Sequence, residues 1–351
     1  MSVLFLIGNG FDVNCGMKTK YKDVYENYVK ETSETENLKK FKNTISGNLE
    51  NWGDFEMAMA DYAKNLQSEE EFLECIRDFA KYMENHLITE NEKFKKGLNN
   101  KKIKQAVKNE AKKSFSSFYF GISHNVDLMM ENRNVGYVSA IEVVSFNYTD
   151  TFDVIFSEYA EIYGIRANEV THIHGILGDG PVFGVDNVEQ IKTHFTLSRK
   201  GKRGFVKPVF NEQYDQHRVQ LAQDKIRKAY TICVYGMSLG DSDLSWRNEI
   251  IEWLRESTAN QLFVYQYDFS QVNYKTVDEK MDIEDEAKEQ LLSEWGIDSS
   301  DPIFEQIHIP CGKNIFNFGE VIEETKKEIV EDKMRQGENF VNQHLPEVVT
   351  V

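Results

Sequence analysis

Val3-Leu4-Phe5-Leu6-Ile7-Gly8-Asn9-Gly10-Phe11-Asp12 places five apolar residues in a row and stops them at a Gly-Asn-Gly turn. A near-continuous apolar run of this length reads as a strand covered on both faces, hence as part of a parallel sheet. It lacks a basic flank and is too short for a secretory signal. Glycines at its end let a backbone approach a diphosphate, and the start of a following helix would add free N–H groups and partial positive charge. The fingerprint Gly-x-Gly-x-x-Gly is incomplete, because Val13 stands at its third glycine and the next glycine is Gly16. The acid expected ~20 residues on, at the end of a second strand, is absent because helix follows helix. Alone, the stretch fits a tight turn as well as a nucleotide loop.

Outward from it, further β-rich runs occupy 138–146, 170–174, 230–235 and 261–266, with helical patterns at about 21–32, 151–162, 205–228, 241–256 and 279–294. This alternation predicts a doubly wound α/β fold, a Rossmann-like parallel sheet. All five prolines (181, 208, 302, 310, 346) fall in the second half, and residues 17–135 hold only four glycines. A segment so poor in breakers reads as helical. Phe55, Ala58, Met59, Tyr62 and Leu66 recur at helical spacing, as do Phe72, Ile76, Phe79 and Met83, and Ser68 with Glu71 forms a capping box. The expected organisation is a nucleotide-binding core of 1–32 and 136–315, a helical insertion at 33–135 and a C-terminal helix within 316–351.

The 351 residues are 40% hydrophobic, which excludes disordered and fibrous classes, and the net charge of −17 argues against a broad grip on nucleic acid or an anionic membrane. No run approaches ~18 uncharged apolar residues, so no membrane span is expected. Cys15, Cys75, Cys233 and Cys311 are scattered without a CxxC pair, which is neither a disulfide framework nor a zinc pattern, and the expected compartment is a reducing cytoplasm. Two basic stretches break the acidic background. Nine lysines lie within 93–113, read as a solvated helix face or a partner contact, and Arg199, Lys200, Lys202, Arg203 and Lys207 offer contacts for a phosphate-bearing ligand.

Three more motifs sit at the ends of predicted strands, where open α/β sheets bind ligands. In Ser145-Phe146-Asn147-Tyr148-Thr149-Asp150, the Asn147 amide suits a ribose diol or an attacking water, while Asp150 either caps the next helix or meets ligand charge. In Thr171-His172-Ile173-His174-Gly175, residues two apart share a strand face, so both histidines are expected to look into one space. His174, next to a glycine, suits a general base or a structural histidine, and no metal is expected because no further ligand stands at suitable spacing. Tyr235-Gly236-Met237-Ser238-Leu239-Gly240-Asp241-Ser242-Asp243 reads as a second phosphate or adenosine cradle opening a helix at Asp241. Its Gly-x-Ser-x-Gly spacing also matches a hydrolase elbow, but only His308 and His344 follow as bases.

In this order, IGNGFD, SFNYTDTFD, HIHG and YGMSLGDSD resemble the bacterial abortive-infection AbiH family, which acts against bacteriophage and is similar to sirtuin-like NAD-consuming domains. The resemblance covers roughly 1–30 and 136–270. It implies cofactor-binding Gly8, Gly10, Gly236 and Ser238 and catalytic Asn147 and His174; within the same two loops Asn9, Phe11, Asp12 and Asp241 are further expected cofactor contacts. Sirtuin deacylases also carry a CxxC…CxxC zinc ribbon and a Pro-Asp-Phe-Arg run, both missing here, which favours plain NAD hydrolysis over deacylation. Asp12 stands near where those enzymes carry a small residue.

The expected function is therefore a cytoplasmic antiphage effector with NAD as substrate, an NAD glycohydrolase releasing nicotinamide and ADP-ribose. Asp12 or Asp150 would steady positive charge developing on the ribose. A homo-oligomer or a phage-responsive activator protein is the expected partner. A non-catalytic NAD or ADP-ribose sensor and an effector directed at nucleic acid through the lysine-rich insertion are the alternatives.

Overall fold

The computed structural model describes residues 2–120, 124–132, 140–163, 170–178, 182–214 and 216–344. Six parallel strands, β1 (Ser2–Ile7), β2 (Ala140–Ser145), β3 (Thr171–His172), β4 (Thr231–Tyr235), β5 (Gln261–Tyr265) and β6 (Ile307–His308), form one sheet in the order β3-β2-β1-β4-β5-β6. This is the doubly wound order of the Rossmann fold, so the α/β expectation holds. The first strand is central, with Val3 opposite both Ile141 and Thr231. The second begins at Ala140, and 138–139 of the expected run lie outside the described residues. The two-residue β6 carries too few positions to show a pattern.

Before β2 the chain runs through α1 (Gly10–Asn14), α2 (Tyr21–Tyr28), α3 (Glu36–Gly47), α4 (Phe55–Tyr62), α5 (Glu69–Gly97), α6 (Lys101–Ser117) and α7 (His124–Asn132). After it come α8 (Thr151–Tyr163), α9 (Arg199–Phe205), α10 (Lys207–Tyr214), α11 (Gln216–Lys228), α12 (Leu244–Glu256), α13 (Tyr267–Ser270), α14 (Val277–Glu294) and α15 (Phe318–His344). The single helix expected over 205–228 is thus broken, with Pro208 in the first turn of α10, where its missing N–H is harmless.

Alternate residues of the strands go to opposite faces, and both faces are apolar. Val3, Phe5, Ile7, Val143, Cys233 and Phe263 share a core with Val107, Phe115 and Phe118, while Leu4, Leu6, Val144, Val234 and Leu262 share another with Ile226, Ile250, Trp253 and Leu291. A third core holds the helical lobe together through Tyr25, Phe41, Phe55, Phe72 and Phe79.

These cores cut across the domain boundaries expected from the sequence. Phe115 and Phe118, inside the expected insertion, lie edge-on to Phe5 of the central strand at 5.3 and 5.4 Å, so α6 is a layer of the sheet domain. Val185, Phe205 and Val206, expected in the nucleotide-binding core, pack in the helical lobe, where Phe205 meets Phe72 at 5.4 Å. Phe316 and Phe318 at the head of the C-terminal segment belong to the sheet core. An amphipathic stripe shows that a helix buries a face; it does not say against which partner.

The long α5 starts as its sequence suggests, with the Glu71 amide donating to Ser68 Oγ at 3.3 Å. The Glu71 carboxylate turns instead to the Gln67 amide, 2.8 Å away, so half of the expected capping box forms. Ser68→Ala should cost about 1 kcal/mol, read as a lower urea midpoint at unchanged slope. No helix among the described residues is long and apolar enough to cross a membrane.

Candidate functional site

The loops that leave the C-terminal ends of β1, β2, β3 and β4 enclose a cleft of about 450 Å³, next to the point where strand order reverses. Gly8, Asn9 and Asp12 come from the first loop, Asn147 and Thr149 from the second, His174 from the third, and Gly236, Ser238 and Asp243 from the fourth. The helical lobe roofs it with Thr19 to Lys22, Asp54 and Glu56. Seven residues expected from the sequence, Gly8, Asn9, Asp12, Asn147, His174, Gly236 and Ser238, meet in this cleft although they are spread over more than 200 positions.

Buried polar atoms without a hydrogen-bond partner are rare in folded proteins, and here they gather. Asp12 Oδ1, Thr19 Oγ1, both amide atoms of Asn147 and His174 Nε2 are all buried and unpaired. The other Asp12 oxygen accepts from Thr149 Oγ1 at 2.6 Å. Asn147 and Thr151 stand close enough to Asp12 to favour its charged form, although neither Asn147 amide atom reaches hydrogen-bond alignment. Burial dominates nonetheless and raises the Asp12 carboxyl from 3.8 to about 7.

His174 responds to burial in the opposite sense. Desolvation, then the charge of Lys207, lowers its ring to about 3, against an upward pull from Asp243. The Phe146 carbonyl stands close enough to favour the charged ring, and Nε2, without a hydrogen bond, lies 3.5 Å from Asp243 Oδ1. Phe146 also meets the ring edge-on at 5.5 Å.

Behind His174 lies a buried charge cluster. The Lys207 ammonium donates to Glu56 Oε2 at 3.1 Å, Asp243 Oδ1 at 3.0 Å and the Ser242 carbonyl at 3.1 Å, using all three of its protons. Burial works against that cation, but Asp243 and Glu56 outweigh it and hold it above the usual lysine range. Burial also pushes Asp243 up, and Lys207 with His174 brings it below its ordinary value. The Glu56 carboxyl is raised, chiefly by burial, and its Oε1 accepts from the Gly184 amide at 3.0 Å. The sequence does not single out Glu56 or Asp243, the latter two residues beyond the expected cap; Lys207, expected as a phosphate contact, instead spends its protons within this cluster.

Several expectations need correction. Gly8, Gly10 and Phe11 do not leave their own amides free for a diphosphate. The Gly8 amide donates to Tyr235 O at 2.9 Å, Gly10 to Gly236 O at 2.7 Å and Phe11 to Gly8 O at 2.9 Å. A Cβ on Gly10 would lie 2.5 Å from Gly236 Cα, and Gly236 itself has φ +74°, so these glycines serve the contact between two loops. Phe11 points into the sheet core, 4.9 Å from Phe152. Asp150 does not line the cleft; it accepts from Asn91 at 2.8 Å and Lys95 at 2.6 Å and ties α5 to the start of α8. Asp241 is exposed and pairs with Arg247 at 3.2 Å. The two histidines do not share a space, because β3 ends at His172 and strand alternation ends with it. His172 Nε2 faces Asp153 Oδ2 at 2.9 Å in a separate cavity. In the lysine-rich stretch, Lys93, Lys95, Lys102 and Lys113 pair with Glu90, Asp150, Asp332 and Glu110.

The raised Asp12 carboxyl has a consequence for stability. A folded state that holds its proton more tightly than the unfolded chain is favoured fully below pH 3.8, and that advantage is lost as pH rises to about 7. The slope approaches about 1.4 kcal/mol per pH unit between those limits. Asp12→Asn should flatten it, which urea midpoints measured from acid to neutral pH would show. An unchanged slope would place the titrating group elsewhere.

The doubly wound sheet, with a polar cleft at its switch point, defines an α/β protein of Rossmann-like order. The sequence profile of the bacteriophage abortive infection AbiH family matches residues 4–266, three quarters of the chain, so the chain belongs to that family. Membership implies a role in abortive infection by phage. No curated protein and no solved structure matches it. Among the described residues no group of three or more His, Cys, Asp or Glu could hold a metal ion.

Proposed function

We propose that the cleft hydrolyses NAD to nicotinamide and ADP-ribose and that this chemistry is the abortive-infection effect. The observation that carries the reading is the convergence of five unpaired buried polar atoms, from Asp12, Thr19, Asn147 and His174, on one strand-end cleft. Their desolvation is a standing cost of order 1–3 kcal/mol each that a polar ligand can relieve.

Each group has a task in cleaving an N-glycosidic bond. Asn147 offers a donor and an acceptor to the ribose diol. Asp12, when ionised, faces the positive charge that grows on the ribose as the bond to nicotinamide breaks, and the cationic substrate itself favours that ionisation. Lys20 and Lys22 at the cleft wall supply positive charge for the diphosphate. A His174 ring near 3 is too weak to deprotonate free water. Water that has bonded to an oxocarbenium carbon is a strong acid, however, and a weak base then suffices. Asp243, kept ionised by Lys207, stands ready to balance the resulting imidazolium.

The test is to incubate the purified protein with NAD, follow nicotinamide and ADP-ribose by chromatography, and measure NAD in cells expressing the protein. Nicotinamide with matching ADP-ribose, or NAD loss in expressing cells, supports the reading. Intact NAD in both settings, with toxicity preserved, sinks it.

A further inference from the structure

Behind the cleft is a second cavity of about 270 Å³, bounded by α10, α11 and the start of α12. Two of its lining residues, His174 and Lys207, also line the main cleft, so these two buried side chains form a partition between the spaces. By area its wall is mostly apolar, with the amides of Asn211, Gln216 and Gln223 set beside Val219 and Trp246. Each of these amides offers both a donor and an acceptor, enough to hold a small hydroxyl compound against an otherwise apolar wall.

A nucleotide in the main cleft would cover the unpaired atoms of Asp12 and Asn147 and exclude bulk water from that side. The attacking molecule then has to reach the ribose from another direction, past the base that takes its proton. The geometry points to the second cavity as the acceptor subsite, through which a neutral hydroxyl compound reaches His174. This inference rests on the NAD-cleaving reading. In the step itself the C1′–N bond breaks and its electron pair passes to the nicotinamide nitrogen, which loses its positive charge. An oxygen lone pair of the acceptor forms the new bond to C1′, and the acceptor's proton goes to His174 Nε2 and then to solvent. No oxidant or metal is needed.

The cavity has roughly nine times the ~30 Å³ liquid volume of one water molecule. It therefore admits acceptors larger than water, and the carboxylates of Asp186 and Glu212 on its wall disfavour anions. Methanol should compete with water and yield the methyl glycoside of ADP-ribose.

The experiment compares the parent with Val219→Phe, which fills the cavity from α11, and Asn211→Leu, which removes one of the amides on its wall. Each is supplied with NAD in buffer containing methanol, as purified protein or in lysate of expressing cells, and nicotinamide, ADP-ribose and its methyl glycoside are separated by chromatography. The parent should form both ribosyl products. Val219→Phe should release nicotinamide about tenfold more slowly at nearly unchanged KM for NAD, as expected when only the acceptor step is hindered. It should also shift the remaining product toward water. Asn211→Leu should change the ratio of methyl glycoside to ADP-ribose in the same assay, so the test survives if Val219→Phe fails to fold. Parental rates and parental product ratios in both folded variants would overturn the subsite while leaving NAD cleavage standing. A parent that releases no nicotinamide overturns the cleavage reading, and this inference with it.

Discussion

Lys207→Met should destabilise the protein by about 3–5 kcal/mol, because it removes the cation of a buried cluster and leaves its anions uncompensated. Lys207 is 4% exposed and contacts two carboxylates and a carbonyl at 3.0–3.1 Å. Methionine matches its stem but answers none of them. The cost falls mainly on Asp243, since burial already pushes Glu56 toward its neutral form. Lys207→Met combined with Asp243→Asn should therefore recover much of the loss, because a cluster stripped of charge is better tolerated than one half removed. Urea unfolding at neutral pH reads both variants. A loss under about 1 kcal/mol for Lys207→Met would mean that water reaches the cluster.

His174→Ala and Asn147→Ala should each lower NAD cleavage by ~10²–10⁴ and remove any toxicity, the range expected when a positioned acid–base or orienting group is lost. Their unpaired atoms predict an unusual companion result. Neither Asn147 amide atom nor His174 Nε2 has a hydrogen bond to lose, so the folded state should change by no more than about 1 kcal/mol. His172→Ala should behave the opposite way. It breaks a contact with the Asp153 carboxylate at 2.9 Å and should cost roughly 1.5–3 kcal/mol, the range of hydrogen bonds to charged groups, while cleavage is reduced far less. Parental cleavage by His174→Ala with a dead His172→Ala would reverse the assignment of the base. Intact cleavage by both Asn147→Ala and His174→Ala would end the NAD-cleaving reading.

The parts of the fold legible in the sequence were those with enough consecutive apolar residues to show a period. The first, second, fourth and fifth strands have five or six residues each and stand out; the third, only two residues long, lies inside the longer run 170–174, and the two-residue sixth shows no pattern. The strand-end motifs located the cleft for the same reason, since a sheet of this order gathers its C-terminal loops. Glu56 was hidden because it sits between Phe55 and Met57 on a helix whose stripe already had an explanation in packing. Asp243 was displaced by two residues because Asp241–Asp243 forms a 3-10 turn, so α12 begins at Leu244 rather than at Asp241. Asp12 showed in the sequence as an acid, but its raised carboxyl depends on burial that no local pattern encodes.

The central position of β1 governs when the cleft can form. The first strand leaves the ribosome earliest, yet it pairs with Ala140–Ser145 on one side and Thr231–Tyr235 on the other. Contacts of such sequence separation form late and slowly. The cleft needs Asp12, Asn147, His174 and then Lys207 and Asp243, so a nascent or truncated chain ending before residue 243 has the glycine loop and the histidine but no completed pocket. The complete cleft is thereby deferred until residue 243 has been made. An interrupted synthesis leaves a fragment without it.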